Sequence, residues 1–501
     1  MADRRVDLHD PYLFGNDAAE DEEEAVFNSY VIDRDESAIF TNPHRRLAVV
    51  RAYKGDGKSA LLRLTRTKIV DQSDHEPLII SAIATDVTPR IESPDPAQWA
   101  RAWKGVIFDR LAATIGTRIG FAWRDDDMSL VEEAERRGFK ERNIISGILD
   151  RIKAAASAGG VELRLSAEKP GVTNSANVVQ RWAEGRDPIW LLIDDVDQNF
   201  KNDRLSKVRV ASFFVACREL VNAVPELRIR AAIRPNVWTT LKLEFDALSH
   251  VEQYVSDLHW SEHDIRTMLA RRIEAHWERK GVLEQNLRGL PLSDWQRDKE
   301  VIAAVFGRRI EWGGSIRPAH VVLYTLSKHR PRWVIELCKF GAQRAIQQGR
   351  NSITREDLFF RLAEFGGHRM QDTIAEFGPQ CPEVGELIGA FAGEKEQFST
   401  AELMGVIERK VLTHLAPTIV GVVGRVTARE VAHLLFEIGF IFPREDFPDA
   451  TYRHVPFAEK PSLLRSRTAL DEGMLWEIHP VFRQALGMRD ELGQEVARRP
   501  I

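Results

Sequence analysis

The chain has 501 residues, a length that predicts two to four domains. Hydrophobic residues make up 44% of it and charged residues 29%, as in ordinary globular proteins, and the formal net charge of −5 argues against a globally basic nucleic-acid binder. The three cysteines are widely spaced and match no metal-binding pattern, so we interpret them as buried or free thiols in a reducing compartment. Because no apolar run reaches membrane-spanning length, we expect a cytoplasmic protein with no membrane partner.

The first part of the chain, residues 1–39, is a polar lead-in. It contains the acidic run Glu20–Glu24, and we expect a solvated, partly flexible segment there because like charges repel one another. The apolar run Leu47–Arg51 that follows predicts the first strand of a sheet.

The segment after this strand carries the strongest functional pattern of the chain. It reads Ala52-Tyr-Lys-Gly-Asp-Gly-Lys-Ser59 and precedes the helical run Ala60–Leu64, so that strand, glycine-containing loop and helix follow one another. This order is typical of a phosphate-binding loop, and a simple glycine-containing turn before a helix is the alternative. The usual first glycine of that motif is Ala52 here, and its small side chain is compatible with a tight turn.

The chemistry of phosphate binding explains the residue types in this loop. Gly55 and Gly57 let the backbone wrap closely enough to aim amide N–H groups at phosphate oxygens, and the start of the next helix adds a partial positive charge. We expect Lys58 to reach the β- and γ-phosphates of ATP and the Ser59 hydroxyl to ligate Mg²⁺. The predicted nucleotide contacts are Ala52, Lys54, Gly55, Asp56, Gly57, Lys58, Ser59 and Ala60.

Strands and helices alternate along residues 40–260. Apolar runs predict four further strands, at Pro77–Thr85, Ile189–Ile193, Ile229–Ile233 and His250–Leu258. Helical patterns lie between them, at Ala97–Ile115, Asn174–Glu184 and Leu205–Ala223. Such alternation is typical of a parallel sheet covered on both faces, with ligands bound at the carboxyl ends of the strands. Residues 117–173 exceed what one crossover needs, so we predict an insertion there that includes a charged helical part at Ser129–Ala156.

Acidic residues follow the strand Ile189–Ile193. Asp194 and Asp195 stand where the acidic motif of a phosphate-binding ATPase belongs, so we expect Asp194 to hold the Mg²⁺ shell and Asp195 to polarise the attacking water. A helix N-cap or an exposed turn is the alternative for two acids after a strand. Together with the glycine-containing loop, the two acids predict an ATP site.

Two arginine-containing segments are candidates for sensing the nucleotide. Arg234 and Asn236 follow the fourth strand and would face the γ-phosphate, unless Arg234 only caps the strand and pairs with an acid. Residues 259–350 are strongly helical, as in a lid, and Arg330-Pro-Arg332 opens the last helix of this region. We predict that Arg332 reads the γ-phosphate; a helix start with two solvated arginines is the alternative.

The C-terminal part of the chain predicts a winged helix-turn-helix module. Ser399 is a good helix N-cap, and Ala428–Ile438 is an amphipathic helix ended by Gly439, with two short apolar segments after it that would form the wing. Such modules place a helix in the major groove of DNA or dock a protein. The loop Arg453–Arg467 is basic, so it either contacts DNA phosphates or is a solvated loop.

The whole chain resembles a family of bacterial P-loop ATPases related to the AAA+ origin-recognition and STAND ATPases. Six blocks carry the resemblance: Leu13–Asp21, similar to an FG-x-x-AAE signature, Lys54–Leu62, similar to K-G-x-GKSALL, Leu192–Asp197, Ile233-Arg234, Arg330-Pro-Arg332 and Ile478-His-Pro480. It implies a role in bacterial anti-phage defence or in mobile elements. The residues that it implies to be catalytic are Lys58, Asp195, Arg234 and Arg332, and the implied Mg²⁺ ligands are Ser59 and Asp194.

Three functions fit these observations. The first, which we favour, is a Mg²⁺-dependent ATPase whose nucleotide state controls assembly and a partner, either an effector protein or DNA bound by the C-terminal module. The second is a nucleotide-binding scaffold that hydrolyses little ATP and docks a partner protein. The third is a P-loop phosphotransferase, in which the large lid and the C-terminal domain have no role. An AAA+-type site is usually completed by an arginine of a neighbouring subunit, so we expect a homo-oligomer, with Arg204, Arg228 and Arg230 as the candidate arginines.

The predicted fold is α/β, with the parallel-sheet core of an AAA+- or STAND-like P-loop NTPase, a helical lid and a C-terminal winged-helix domain. The predicted boundaries are 1–39 for the lead-in, 40–260 for the ATPase core with its helical insertion at about 117–173, 261–368 for the lid and 369–501 for the winged-helix-like domain.

Overall fold

The computed structural model describes residues 6–118, 172–291, 293–308, 310–312, 315–446, 452–465, 471 and 473–488. They fall into two units, each with its own hydrophobic core. The sheet unit consists of Asp35–Arg51 and Leu61–Asp257, and the helical unit consists of the residues up to Arg34, Ala52–Ala60 and the residues from Leu258 onwards. Apart from its ends, the predicted insertion at 117–173, including Ser129–Ala156, lies outside the described residues. The predicted four-part division of the chain stays a prediction.

The secondary-structure elements are numbered in chain order. The strands are β1 (Leu47–Arg51), β2 (Leu78–Ile83), β3 (Ile189–Asp194), β4 (Leu227–Ile233), β5 (Val255–Asp257), β6 (Ile310–Trp312), β7 (Ser315–Arg317), β8 (Gln397–Ser399), β9 (Ile441–Asp446), β10 (Tyr452–His454) and β11 (Leu475–Ile478). The α-helices are α1 (Glu24–Tyr30), α2 (Asp35–Thr41), α3 (Lys58–Asp71), α4 (Ala84–Val87), α5 (Pro96–Arg118), α6 (Val172–Ala183), α7 (Arg204–Ala223), α8 (Pro235–Lys242), α9 (Glu262–Arg279), α10 (Leu283–Leu287), α11 (Asp294–Phe306), α12 (Ala319–Leu326), α13 (Pro331–Gln347), α14 (Arg355–Phe359), α15 (Leu362–Phe377), α16 (Val384–Gly389), α17 (Thr400–Ile407), α18 (Ala428–Glu437) and α19 (Pro480–Arg483).

The sheet unit is built on a parallel sheet whose strand order is β2-β3-β4-β1-β5. β3 and β1 are buried along nearly their whole length, as expected of parallel strands that are covered on both faces. Helix α5 packs against α6 and α7. Because the strands are parallel, β1, β3 and β4 end at the same edge of the sheet. The predicted α/β class with a parallel sheet is confirmed.

Two of the predicted strands are shorter in the structure than in the sequence pattern. β2 ends at Ile83 because the chain turns into α4 there. Only Val255–Asp257 pairs with β1, and the residues before it form 3-10 turns. Leu248 and Val251 are fully buried in those turns, so their apolar character reflects core packing rather than a strand.

The N-terminal segment of the helical unit is packed, so the expected solvated lead-in is wrong for this part of the chain. Leu13 and Phe14 are buried, and the guanidinium of Arg272 donates to the Phe14 carbonyl. Glu22, from the acidic run, is also buried and accepts a hydrogen bond from the Tyr30 hydroxyl at 3.0 Å. A buried carboxylate needs such partners, which local sequence does not reveal.

The C-terminal part of the helical unit has the predicted winged-helix arrangement. An antiparallel sheet in the order β10-β9-β11-β8 accompanies helices α17 and α18. Ser399 is the N-cap of α17, as predicted, and its side chain accepts a hydrogen bond from the Glu402 N–H. Thr427 caps α18 in the same way, by accepting from the Glu430 N–H. Gly439, which follows α18, has a φ of +66°.

Two predictions drawn from composition can be compared with the structure. Cys217, Cys338 and Cys381 are buried free thiols, as predicted, and burial raises the pKa of each, that of Cys381 to about 12. Thiols of this kind are chemically inert. None of the described helices combines the length and the apolar composition that crossing a membrane requires.

Candidate functional site

The loop Ala52–Ser59 leaves the carboxyl end of β1 and ends in the first turn of α3. Gly55 and Gly57 have φ values of +91° and +94°, which residues with side chains rarely adopt. Helix α3 begins at Lys58. The N–H groups of its first turn, which have no partner within the helix, therefore lie where the loop ends. This local structure agrees with the sequence pattern and provides the donors that a phosphate group requires.

Lys58, the candidate phosphate-binding lysine, is folded back over the start of the loop. Its Nζ donates to the Ala52 carbonyl at 3.1 Å and lies 3.5 Å from the Tyr53 carbonyl. Ala52 is not among the described non-glycine residues with positive φ, so alanine fits where the motif usually has glycine. Ser59 and Ala60 are half-buried in the first turn of α3.

Asp56 closes the loop on itself. Its carboxylate accepts the Tyr53 N–H at 2.8 Å, and its own N–H donates to the Tyr53 carbonyl at 3.2 Å. Its carbonyl accepts the indole N–H of Trp260 at 2.7 Å. Burial raises the pKa of the Asp56 carboxyl to about 6, although the guanidinium of Arg330, whose Nε lies 4.0 Å from Oδ1, opposes the shift.

Arg330 and Glu376 hold the Lys54 peptide of the same loop. The Lys54 N–H donates to Glu376 Oε1 at 3.1 Å, and the Lys54 carbonyl accepts from Arg330 Nη1 at 3.1 Å. Arg330 and Glu376 are themselves paired at 2.9 Å, and both are buried. The sequence pattern marked Arg330 as a lid arginine, whereas no local pattern marked Glu376.

Arg332, predicted to read the γ-phosphate, meets the loop through its backbone and its Cβ. Its N–H donates to the Gly55 carbonyl at 3.3 Å, and a Cβ atom at Gly55 would lie 3.2 Å from the Cβ of Arg332. The guanidinium instead contacts the N-terminal segment, where Nε donates to the Asp17 carbonyl at 3.2 Å and Nη2 lies 3.7 Å from Glu20. The role of Arg332 as a phosphate sensor stays a prediction.

In the sheet unit, the acidic residues lie at the carboxyl end of β3. Asp194 ends the strand, and its Oδ1 accepts the Asp195 N–H at 2.8 Å. Asp195 is exposed and has a φ of +52°, a conformation that aspartate tolerates better than most residues. Asp195 thus lies just past the strand end, on the side of the turn open to solvent.

Arg234, the candidate sensor after β4, is bound to Asp197 three residues after Asp194. The Asp197 carboxylate accepts the Arg234 Nε at 2.6 Å and its N–H at 3.1 Å, and the Asp197 carbonyl accepts Nη2 at 2.7 Å. Asp197 is buried, so this ion pair ties the ends of β3 and β4 together. Pairing with an acid was the alternative that the sequence left open for Arg234.

A cavity of about 260 Å³ lies beside Asp195 in the sheet unit. Its lining includes Thr85 and Arg90 from the segment after β2, Asn199, and Arg209 from α7. Asp195 therefore lines an open cavity together with both polar and apolar side chains.

The three candidate arginines of a neighbouring subunit differ in accessibility. Arg230 is fully buried and donates to the Phe40 and Asn42 carbonyls at 2.5 and 2.8 Å, and burial lowers the pKa of its guanidinium to about 9. Arg228 donates to the carbonyl of Pro43. Arg204 is exposed at the start of α7, so it suits an intersubunit role better than the other two.

The basic loop of the winged module is described up to residue 465, so the predicted contact Arg467 lies outside the described residues. Arg453 pairs with Glu445 and Glu459, and Lys460 pairs with Glu445. These pairs are exposed, and such pairs contribute only ~0–1 kcal/mol, so a phosphate could replace the acids.

Ser59, in the helical unit, and Asp194, in the sheet unit, each carry an oxygen donor of a type that Mg²⁺ accepts. Mg²⁺ is usually held by one or two carboxylates together with substrate phosphates. Across the described residues, no group of three or more His, Cys, Asp or Glu side chains could hold a metal without such a partner.

Comparison with known proteins gives distant likenesses only. No family model matches the chain. A curated protein of Escherichia coli (strain K12), described as "Putative transposon gamma-delta 80.3 kDa protein", is 20% identical over 455 residues, which are 86% of this chain. The chain spans 62% of the length of that relative.

Solved structures with similarity to the chain include two archaeal proteins and one from Drosophila. The ORC2 protein of Aeropyrum pernix in its ADPNP-ADP complexes is 11% identical, with a TM-score of 0.42 and 94% of each chain covered. Cdc6p of Pyrobaculum aerophilum is 12% identical, with a TM-score of 0.34 and 96% of each chain covered. Drosophila ORC bound to DNA is 12% identical, with a TM-score of 0.30, and 91% of this chain and 90% of that chain are covered. Scores this low do not establish a shared fold, so the architecture rests on the strands and helices described above.

Proposed function

We propose that the chain is a Mg²⁺-dependent ATPase that acts as a nucleotide-controlled switch. The observation that carries the proposal is the loop between β1 and α3, where Gly55 and Gly57 have positive φ and Lys58 starts the helix. Backbone N–H groups, a helix N-terminus and a lysine amine are the donors by which proteins bind nucleotide phosphates. The predicted contacts Ala52, Lys54, Gly55, Asp56, Gly57, Lys58, Ser59 and Ala60 are all part of this proposal.

The proposed roles of the other residues follow from their positions at the ends of strands. Bound Mg²⁺ would neutralise phosphate charge, with Ser59 and Asp194 as its ligands. Asp195 would orient and deprotonate the attacking water, and Arg234 and Arg332 would respond to the γ-phosphate. Asp195 is one methylene shorter than the glutamate of many AAA+ proteins, so we expect slow turnover, which suits a switch.

The proposed partners remain DNA or an effector protein, and we propose a cytoplasmic homo-oligomer completed by an arginine such as Arg204. The relative described as a transposon protein favours a role on DNA in a mobile element. A role in anti-phage defence is part of the proposal as well. The winged module and its exposed basic residues Arg453 and Lys460 offer the surface for it.

Phosphate release from ATP, measured at rising protein concentration with and without duplex DNA, tests this function. We expect turnover that rises more than linearly with protein concentration and that DNA increases. Lys58→Ala is the control, because removing the amine should lower turnover by about 100-fold or more. Turnover that persists in this variant would mean a contaminating ATPase, and ATP binding without turnover would leave the nucleotide-binding scaffold.

The pH dependence of nucleotide binding tests the placement of Asp56 beside the phosphates. Its folded-state pKa is raised to about 6 from 3.8, mainly by burial, with Glu376 adding to the shift and Arg330 and Lys58 opposing it. Asp56 is therefore protonated below about pH 6 and ionised above it. Because an ionised carboxylate repels phosphate, we expect ADP affinity relative to Asp56→Asn to fall about fivefold between pH 5.5 and 7.5.

The Asp56→Asn variant is the reference at each pH, because the titration of the ADP phosphates then cancels. Its asparagine oxygen can still accept the Tyr53 N–H, which keeps the loop closed. Isothermal titration at several pH values gives the ratio of the two affinities. A ratio independent of pH would place Asp56 away from the bound phosphates.

A further inference from the structure

Helix α15 presents one face to the phosphate-binding loop. Asp372 and Glu376 lie four residues apart, so both side chains project from the same side of the helix. The Asp372 carboxylate is 3.6 Å from the Lys54 amine, and the ring of Phe377 lies 5.8 Å from that of Tyr53. The loop therefore packs against a helix that is more than 300 residues away in the sequence.

Glu376 makes the most specific of these contacts, because it binds loop backbone. Both backbone groups of Lys54 are engaged, and they belong to adjacent peptide units: its N–H donates to Glu376 and its carbonyl accepts from Arg330. Lys54 directly precedes Gly55, whose φ of +91° belongs to a residue with a wide choice of conformations. Something other than the local sequence must hold the peptide in this orientation, and the buried Glu376–Arg330 pair does so.

The N-terminal half of α15 packs against α19. A Cβ atom at Gly366 would lie 2.3 Å from the Val481 carbonyl of α19, so the two helices touch at this glycine. A side chain at this position would force the backbones apart, since the nearest atom is a carbonyl oxygen. Glu376 thus lies on a helix that contacts both the loop and α19.

We infer that Glu376 is a positioning residue for the phosphate-binding loop, which it holds through the Lys54 N–H. This inference rests on the proposed nucleotide-binding function. The carboxylate touches no phosphate itself; together with Arg330 it fixes the two peptide units that flank the Lys54 Cα, and their orientation sets the direction of the N–H groups that follow.

The test compares ATP and ADP affinities of the full chain with those of Glu376→Gln and Glu376→Ala. Glutamine keeps an oxygen for the Lys54 N–H but loses the ion pair, whereas alanine loses both. We expect affinity to fall by about tenfold in the glutamine variant and further in the alanine variant. The loss should be equal for ATP and ADP, because the loop binds phosphates that both nucleotides have.

Glu274→Gln is the matched control. Glu274 is also a partly buried partner of an arginine, Arg297, but this pair joins α9 to α11 and includes no residue of the loop or of α15. We expect this variant to lower the melting temperature of the free protein while leaving both affinities within about twofold of wild type. The Glu376 variants should reduce the rise in melting temperature that ATP causes.

Three outcomes would overturn the inference. Unchanged affinities in both Glu376 variants would show that the loop does not need the carboxylate, while leaving the proposed ATPase intact. Equal losses in the Glu274 and Glu376 variants would assign the effect to general destabilisation. A wild-type chain that binds neither ATP nor ADP would remove the proposed function and, with it, this inference.

Discussion

Replacing Asp195 by asparagine is expected to reduce ATP turnover by about 100-fold or more while leaving ATP affinity within about threefold of wild type. Asparagine cannot take a proton from water, so the loss should appear in kcat. The substitution suits this position because asparagine tolerates the positive φ of +52° as well as aspartate does. The backbone N–H of residue 195 can still donate to Asp194, so the turn should keep its form.

The measurement is single-turnover hydrolysis at saturating ATP, together with equilibrium binding of a fluorescent ATP analogue. Asp187→Asn is the matched control, because Asp187 is an exposed aspartate just before β3, at the opposite end of the same strand. The Asp187→Asn variant should leave both the rate of hydrolysis and the ATP affinity unchanged. Equal turnover in wild type and Asp195→Asn would contradict the base role and favour the nucleotide-binding scaffold.

The elements of the sheet unit were largely predictable because their signals are local. A buried parallel strand is a short apolar run between turn residues, and Leu47–Arg51 is a strand with the predicted bounds. The pattern failed at Val251, an apolar residue that packs into the core between two 3-10 turns. Apolar periodicity indicates which residues are buried, and a short apolar segment can be buried either as a strand or as a 3-10 turn.

The conformation of the loop Ala52–Ser59 was predictable because its signals are also local. Its contacts with residues distant in the sequence were not predictable. Glycines, a lysine and a helix start within eight residues define the loop, and the backbone has the positive φ values expected of Gly55 and Gly57. The contact with Glu376 depends on how distant helices pack, and no spacing encodes that. The N-terminal signature Leu13–Asp21 was recognised as a pattern, but its contact with Arg332 required the structure.

Asp197, in the acidic motif after β3, has a structural role that the sequence did not predict. Asp194 and Asp195 drew attention because they end a buried strand, and Asp197 received no role. The structure gives Asp197 the ion pair with Arg234, with three hydrogen bonds between the two residues. A buried acid three residues past a strand end needs a cation, and Arg234, at the end of the neighbouring strand β4, supplies it.

Replacing Arg330 by methionine is expected to destabilise the helical unit by about 3–5 kcal/mol. Methionine fills much of the same space but leaves the carboxylates of Glu376 and Asp56 buried without their shared cation. The hydrogen bond from the Lys54 N–H to Glu376 would then lose the cation that holds the carboxylate in place. Hydrogen exchange of the helix that Arg330 caps, α13, gives the local opening free energy.

Arg332→Met is the matched control, two residues along the same helix. The Arg332 guanidinium is partly exposed, and Glu20, the acid with which it pairs, is exposed. The loss of folding stability in this variant should therefore stay below about 1 kcal/mol. The double variant Arg330→Met, Glu376→Gln should lose less folding stability than the two single variants lose together. The second substitution removes one of the charges that the first leaves unpaired. Equal losses at positions 330 and 332 would mean that the carboxylates are hydrated in solution. The Lys54 backbone would then be oriented without a desolvated ion pair, and the role of Glu376 would rest on its hydrogen bond to the Lys54 N–H alone.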